Sequence, residues 1–424
     1  MRFFCDLHIH SCYSRGTSKS ITLKNLEKYA LMKGLHILGT GDFTHPEWFA
    51  QLKEKLQEGG EKGIYYLKKD NSQGNLLQYS DTDVPENDRK QQLGFVFQTE
   101  ISLMYSDSAK SRKIHLVILS PDIQTTEEIN KYLSSKGRMD YDGRPIFGHL
   151  PCNKITADLK KISEDIEIIP AHIWTPYFGL FGSKSGFDKI EDAFLDQTKH
   201  IYGLETGLSS DPQMNYQLGC LDRYTMISNS DAHSHYPWRI GREATIFEFD
   251  EEISYKKLVD AIRKKNNGYA GTIEVDPRYG KYYFDGHRNC GISIPPKEAI
   301  EKYNNICPVC KKPLTIGVFH RVRELADRSE EYVAEGKAMY YTLLPLFEII
   351  AFSKNISTLQ SKTIWSIYSK LIKHFGTEFN ILIDAQKEEL QKIVDSDLAE
   401  MIVNLRNKKY AIEEGSDGVY GKLK

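Results

Sequence analysis

The chain opens on a short apolar run, Phe3-Phe4-Cys5, that leads directly into Asp6-Leu7-His8-Ile9-His10. A run of this length fits a buried strand and is too short for a helix. On a strand alternate side chains share a face, so His8 and His10 point the same way with Asp6 beside them. Two converging imidazoles suit a bound metal, but they also suit a simple hydrogen-bonded pair. Recurrence of the pattern weighs toward the metal. Gly41-Asp42-Phe43-Thr44-His45, Thr99-Glu100, Ile114-His115-Leu116-Val117, Ile169-Pro170-Ala171-His172 and Asn229-Ser230-Asp231-Ala232-His233 each set His, Asp or Glu against a short apolar run. The strand ends of one barrel bring such residues to one place.

The order of elements agrees with a barrel. Thr22 caps a helix that runs to a Gly34 stop, and a strand over 35–38 then delivers Asp42. Strands over 94–98, 114–119, 166–169 and 226–229 deliver Glu100, His115, His172, and Asp231 with His233. Residues 47–57 read as helix and 58–92 as a polar surface hairpin and loop. A last strand near 245–249 and a helix over 254–265 complete a region of barrel size, residues 1–272.

Composition changes near Gly271. Residues 273–325 are rich in Tyr, Gly, Pro and basic residues and hold His287-Arg288-Asn289-Cys290 and Cys307-Pro308-Val309-Cys310. Two such pairs, with residues 291–306 between them, have the spacing of a structural zinc site. Closed four-ligand coordination implies a role in folding. Residues 326–410 read as mostly helical, with Ile364, Trp365, Tyr368, Leu371, Ile372 and Phe375 on one stripe. The tail at 415–421 reads as a turn with a short strand.

The formal net charge of −2 gives no global field for a polyanion, so any nucleic-acid contact must be local. Arg15 and Lys19 lie in the polar loop beside the first histidines. Trp174, Tyr177, Phe178 and Phe181, with Ser183 and Lys184, follow His172. These aromatics either stack on an extruded base while Lys184 holds a phosphate, or they cover the barrel mouth. No apolar stretch approaches the ~20 residues of a membrane span, and the N-terminus has no secretory pattern. The seven cysteines are odd in number and mostly isolated, which fits a reducing cytoplasm and a nucleoid-associated protein.

The ordered set His8-x-His10, Asp42, Glu100, His115, His172 and Asp231-x-His233 resembles the polymerase-and-histidinol-phosphatase (PHP) family of metal phosphoesterases. Within that superfamily, segments 13–19, 39–46, 172–176, 186–187, 228–233 and 417–421, with the zinc pairs, resemble the endonuclease Q family along nearly the whole chain. The resemblance implies an α/β fold: a distorted PHP-type barrel (1–272), then a small zinc-binding module (273–325) and a helical C-terminal domain (326–424). It implies that His8, His10, Glu100 and Asp231 hold one metal. Glu100, His115 and His172 would hold a second, with Glu100 bridging. Asp42, His45 and His233 would complete a third, although Phe43 stands where many relatives carry His and residues 11–20 hold no further histidine. Two or three divalent ions (Zn, Mn, Fe or Mg) and one structural zinc on His287, Cys290, Cys307 and Cys310 are expected.

The implied activity is DNA repair. A metal-activated hydroxide cuts the phosphodiester 5′ to deaminated bases (uracil, hypoxanthine, xanthine) and at abasic sites, leaving a 3′-hydroxyl and a 5′-phosphate. Glu100, Asp231, His233 and Asp42 carry the chemistry. The expected partner is DNA bearing deaminated bases, engaged by a monomer. A sliding clamp is a second candidate partner, although the C-terminus Gly421-Lys422-Leu423-Lys424 lacks a clamp-binding pattern. A small-molecule phosphatase of the same superfamily is an alternative, and residues 273–424 argue against it. A non-catalytic nucleic-acid scaffold is another, and the complete two-metal ligand set argues against that.

Overall fold

Short strands rich in Ile, Val and Phe alternate with amphipathic helices, and each strand buries both faces only when flanked on both sides. The computed structural model describes residues 1–68, 92–107, 110–265, 268–332, 336 and 338–424. Of the surface hairpin and loop expected over 58–92, residues 69–91 lie outside the described residues, and Leu56–Glu58 pairs antiparallel with Tyr65–Leu67. Seven strands form the central ring: β1 (Arg2–Asp6), β2 (Ile37–Gly39), β3 (Gly94–Asp107), β4 (Lys110–Ser120), β5 (Glu167–Pro170), β6 (Gly203–Glu205) and β7 (Thr225–Ile227). β1, β2 and β3 are parallel neighbours, β4 runs antiparallel between β3 and β5, and β6 pairs in parallel with β7.

Backbone hydrogen bonds close the ring. The Ile173 amide donates to the Glu205 carbonyl, joining the end of β5 to β6, and the His10 amide donates to the Ala232 carbonyl, joining the chain after β7 to the chain after β1. Cys5, Leu7, Ile37, Val96, Val117, Leu119, Ile169 and Ile227 meet in one buried cluster. They come from every strand of the ring except β6, so they fill its interior. Tyr255, Leu258, Val259 and Ile262, from the helix Tyr255–Lys264, belong to the same cluster. The helix Leu23–Lys33 forms as expected, with Thr22 accepting from the Asn25 amide and Gly34 stopping it at φ 104°.

β1 also pairs antiparallel with β8 (Ala244–Glu248), which pairs with β9 (Tyr269–Glu274). Met339–Thr342, in the region expected to be helical, instead forms β10 parallel to β9. A four-residue strand leaves too little periodicity to read, and its hydrogen bonds come from a partner distant in sequence. Beyond it the expectation holds, with helices at Leu346–Ser353, Lys362–Phe375, Glu378–Ile383, Lys387–Leu390 and Ser396–Arg406. Ile364, Tyr368, Leu371 and Ile372 are buried on the predicted stripe. Among the described residues no helix is long and apolar enough to cross a membrane.

The β8–β9 register pairs Ala244 with Ile273, which sets Glu243 opposite Glu274 in a fully buried position. Glu274 accepts hydrogen bonds from the Thr206 and Ser228 hydroxyls, while one oxygen of each carboxyl is buried without a partner. Burial and the facing carboxyl push Glu243 well up, and burial pushes Glu274 up to about 8. A folded-state value raised above the unfolded one means that stability falls as pH climbs from the ordinary carboxyl range through about 8. The slope is at most about 1.4 kcal/mol per pH unit. Glu274→Gln keeps the shape and removes the titration. The variant should therefore exceed the wild type in melting temperature at pH 8, with the gap closing toward pH 5. A pH-independent difference in paired thermal melts would contradict the raised titration of Glu274.

Candidate metal centre

The ring gathers the candidate ligands at one end, although not all of them by the route expected. β1 stops at Asp6, and His8 and His10 lie just beyond it. The Asp6 carboxylate does not accompany them: it accepts from the Ser230 amide and hydroxyl and from the Gly241 amide, tying β1 to the chain after β7. Glu100 and His115 come from the middle of strands, because β3 and β4 continue past the ring as a long hairpin. Asp42, His172 and Asp231 follow their strands with φ of 41°, 29° and 47°. Left-handed backbone at a non-glycine residue costs about 1–3 kcal/mol and is tolerated where surrounding structure fixes it, as at functional sites.

Two donor groups result, and they share Glu100. In the first, one ligand atom each from His8, His10, Glu100 and Asp231 lies within 4.8 Å of the others; in the second, the same holds for Glu100, His115 and His172. Oε1 of Glu100 is 2.7 Å from Nδ1 of His115 and 3.1 Å from Nε2 of His172, while Oε2 is 3.3 Å from Nε2 of His10. Asp231 Oδ1 lies 3.1 Å from Nε2 of His10 and 3.7 Å from Nε2 of His8. Nε2 of His8 and His10 and Oδ1 of Asp231 are buried without a hydrogen-bond partner. Buried polar atoms are rarely left this way. A ring of imidazole and carboxylate lone pairs aimed at one space fits divalent cations.

Electrostatics support that reading. Burial pushes the Glu100 carboxyl up, but His115, Arg144 and His8 overcome it and hold Glu100 well below its ordinary range. Burial also opposes ionisation of Asp231, and His233, His10 and His8 overcome it. Burial lowers His115 to about 4, whereas the carboxylates around them overcome burial and raise His8, His10 and His172, whose protons a binding cation would have to displace.

A second layer orients the first. Nδ1 of His8 lies 3.0 Å from both oxygens of Glu205, which also accept from the His172 amide and from Asn229. Such a carboxylate fixes the histidine tautomer and turns Nε2 toward the metal. Asp42, expected as a ligand, does the same for His10: Oδ1 is 2.9 Å from Nδ1, and Oδ2 accepts from the Ser11 amide and the Ser11 and Ser14 hydroxyls. His45 is stacked on Tyr13 at 4.2 Å with its Nδ1 unpartnered. The His233 ring packs 4.6 Å from His10, and its Nδ1 lies 2.9 Å from the Asp231 carbonyl oxygen. Asp42, His45 and His233 thus border the centre without joining either donor group.

Sequence reading missed two residues here. Glu205 ends an apolar run like the others and was legible on that ground. Arg144 donates to Glu100 Oε2 at 2.9 Å from a loop without hydrophobic pattern, and it left no signal.

The aromatic loop after His172 divides. Trp174 and Phe181 are buried, with ring centroids 4.9 Å apart and planes tilted by 34°, and offer no face to a base. The indole of Trp174 donates to Asn215. Phe178 covers His115 at 4.3 Å, and Tyr177 is exposed. Ser183 donates to the Ile316 carbonyl and Lys184 to that of Leu314, so both tie the loop to the cysteine-bearing segment. Arg15 lies over the Tyr141 ring, and Lys19 donates to the Cys12 carbonyl.

His287, Cys290, Cys307 and Cys310 form a third donor group, also within 4.8 Å. His287 and Cys290 come from the turn of the hairpin pairing Asp285–His287 with Ile292–Ile294. Only Ile294, Ala299, Cys307 and Leu314 are buried together around it. A core so small leaves a folding role for a metal.

Comparison with known proteins agrees with this architecture. The MJ0043 C-terminal domain family matches residues 345–409. The uncharacterized protein MJ0043 of Methanocaldococcus jannaschii is 35% identical over 256 residues, 59% of this chain, and the match spans 31% of that protein's length. The uncharacterized protein YqxK of Bacillus subtilis is 28% identical over 440 residues, covering 100% of this chain and 99% of that protein. The crystal structure of the lesion-specific endonuclease PfuEndoQ from Pyrococcus furiosus superposes with a TM-score of 0.83 at 27% identity, covering 100% of this chain and 95% of that one. Endonuclease Q in complex with a 27-mer duplex carrying an abasic lesion at its active site gives 0.84 at 27% identity, covering 100% and 96%. The resemblance to endonuclease Q therefore extends from end to end.

Proposed function

We propose that this protein is a metal-dependent DNA repair endonuclease. The carrying observation is the pair of donor groups meeting on Glu100, set in a chain matched over its full length by endonuclease Q. In this reading His8, His10, Glu100 and Asp231 hold one divalent ion, and Glu100, His115 and His172 hold another. Asp42 and Glu205 orient His10 and His8 from behind. Divalent ions bound there supply an acidified water and neutralise charge on the phosphoryl oxygens. Cleavage falls on the 5′ side of uracil, hypoxanthine, xanthine or an abasic site and leaves 3′-hydroxyl and 5′-phosphate ends. The deciding experiment is incubation, with Mn²⁺, Zn²⁺ or Mg²⁺, of end-labelled duplexes holding one deoxyuridine, deoxyinosine or abasic site, beside a phosphomonoester. Nicking of lesion duplexes alone is expected, and turnover confined to the monoester would replace this reading with a phosphatase.

A deaminated base carries its changed group on the Watson–Crick edge, so reading it requires extrusion at a cost of about a few kcal/mol. With Trp174 and Phe181 buried, Tyr177 and Phe178 are the surfaces left near His172 and His115. Tyr177→Ala and Phe178→Ala should each slow cleavage of paired lesions about tenfold more than of lesions in single strands, where unstacking is nearly free. Equal losses on the two substrates would assign both rings to support of the barrel mouth.

The division into a barrel (1–272), a zinc-binding module (273–325) and a helical domain (326–424) is retained in this proposal. Zinc on His287, Cys290, Cys307 and Cys310 holds the middle module, whose own core is minimal. Cys307→Ser or Cys310→Ser should release one zinc per chain and lower the melting temperature, read by metal analysis and calorimetry. Unchanged zinc content would remove these residues from the ligand set.

A further inference from the structure

The loop carrying Arg144 is built against the metal centre. Gly143 packs so closely that a Cβ there would stand 2.2 Å from Asp42 Oδ2 and 2.5 Å from Ser14 Oγ. Its amide donates to the Tyr13 carbonyl at 3.2 Å, and its carbonyl accepts from the Thr44 hydroxyl at 3.1 Å. Asp142 Oδ1 accepts from the amides of Arg15 and Arg144, and the Pro145 carbonyl accepts from Ser102 on β3. The backbone on both sides of Arg144 is therefore fixed to β3 and to the segments that follow β1 and β2.

Its guanidinium is the one Lys or Arg group, among the described residues, in contact with a donor side chain of the centre. Nη1 donates to Glu100 Oε2 at 2.9 Å. The other N–H groups have no hydrogen-bond partner among the described residues. The Arg144 side chain is 26% exposed where that of Glu100 is 0%, so it links the buried carboxylate to the solvent-accessible surface. A planar cation fixed at one corner to a donor carboxylate, with N–H groups left over, has the chemistry to bind phosphate.

We propose that Arg144 is a further catalytic residue, holding a non-bridging oxygen of the scissile phosphodiester with the N–H groups that Glu100 leaves free. The proposal rests on the phosphodiesterase reading above. In the hydrolysis a water oxygen forms the new P–O bond, the P–O3′ bond breaks with its electron pair on O3′, and O3′ takes one water proton to become the 3′-hydroxyl. The 5′-phosphate keeps the water oxygen. Negative charge gathers on the non-bridging oxygens as the bonds exchange, and a donor already in place there stabilises the transition state more than the ground state.

The test uses Arg144→Ala and Arg144→Lys in the full chain. Metal content should equal that of the wild type in both, because Arg144 is not a ligand. Inorganic phosphate, titrated calorimetrically into metal-loaded protein, should bind about tenfold or more weakly to Arg144→Ala. Single-turnover cleavage of an abasic duplex should fall about 10²–10³-fold in Arg144→Ala, the loss typical of one transition-state donor. The lysine variant should recover only part of it, and added guanidine should partly restore the alanine variant. Loss of metal in parallel with activity would make Arg144 a positioning residue for Glu100 and overturn the proposal, as would undiminished phosphate affinity. The phosphate titration needs no DNA cleavage. If wild-type protein fails to nick DNA yet binds phosphate through Arg144, the DNA reading and the catalytic role fall together, and only a phosphate-binding role for Arg144 is left.

Discussion

Replacing Glu100 by Gln or Asp231 by Asn is expected to lower cleavage of a lesion-bearing duplex by about a thousandfold or more, with DNA affinity within a few fold of wild type. Both side chains lie in the first donor group, and Glu100 is common to the two. Loss of the Glu100 carboxylate would take a donor from both groups at once. Metal-assisted charge neutralisation is worth several kcal/mol at a transition state, and each 1.36 kcal/mol is about a factor of ten in rate. Affinity for DNA comes mainly from phosphate contacts spread over the surface, so it survives. The two variants should also differ in metal content. Glu100→Gln should lose more than Asp231→Asn, since Asp231 serves one donor group only. Near wild-type turnover in either variant, with metal unchanged, would remove the assignment.

The second large effect concerns stability and lies far from the centre. Lys33 ends the first helix of the barrel and Glu378 begins a helix of the C-terminal region; both side chains are buried, with Nζ 2.6 Å from Oε1. Burial lowers the Lys33 pKa against the pull of Glu378. Glu378 further accepts from the Leu346 amide at 2.9 Å and the Tyr368 hydroxyl at 3.0 Å, so one carboxylate joins three elements. Removing one partner of such a pair leaves an unpaired buried charge and costs about 3–5 kcal/mol. Lys33→Met and Glu378→Gln should each shift the urea midpoint downward by that amount in free energy. The double variant should lose less than the sum of the two, because neither charge is then left alone. Additive losses would show that the pair does not act as a unit.

The sequence carried the barrel's plan because its logic is local. Thr22 and Gly34 bound their helix through side-chain capping and left-handed backbone, properties of the residues themselves. His8, His10, Glu100, His115, His172 and Asp231 each sit against an apolar run that had to become a buried strand, so their convergence followed from ring closure. The x2-spaced pairs at 287–290 and 307–310 were equally legible, since ligand spacing within a turn is set by chain geometry. Tertiary structure decided the roles. Asp42 fits a ligand or a support equally by sequence, and only the positions of His10, Ser11 and Ser14 turned its oxygens away from the donor groups. Trp174 and Phe181 carry the same chemistry as Tyr177 and Phe178, but neighbours distant in sequence buried the first two. Lys33 reads as an ordinary cation at a helix end until Glu378 covers it. Arg144 belongs to no apolar pattern, and its contact with Glu100 depends on a glycine-tight loop packed between strands. Periodicity and capping are local and survive in the order of residues. Burial, partner choice and the direction of a side chain depend on elements tens to hundreds of residues apart, and exist only once the chain is folded.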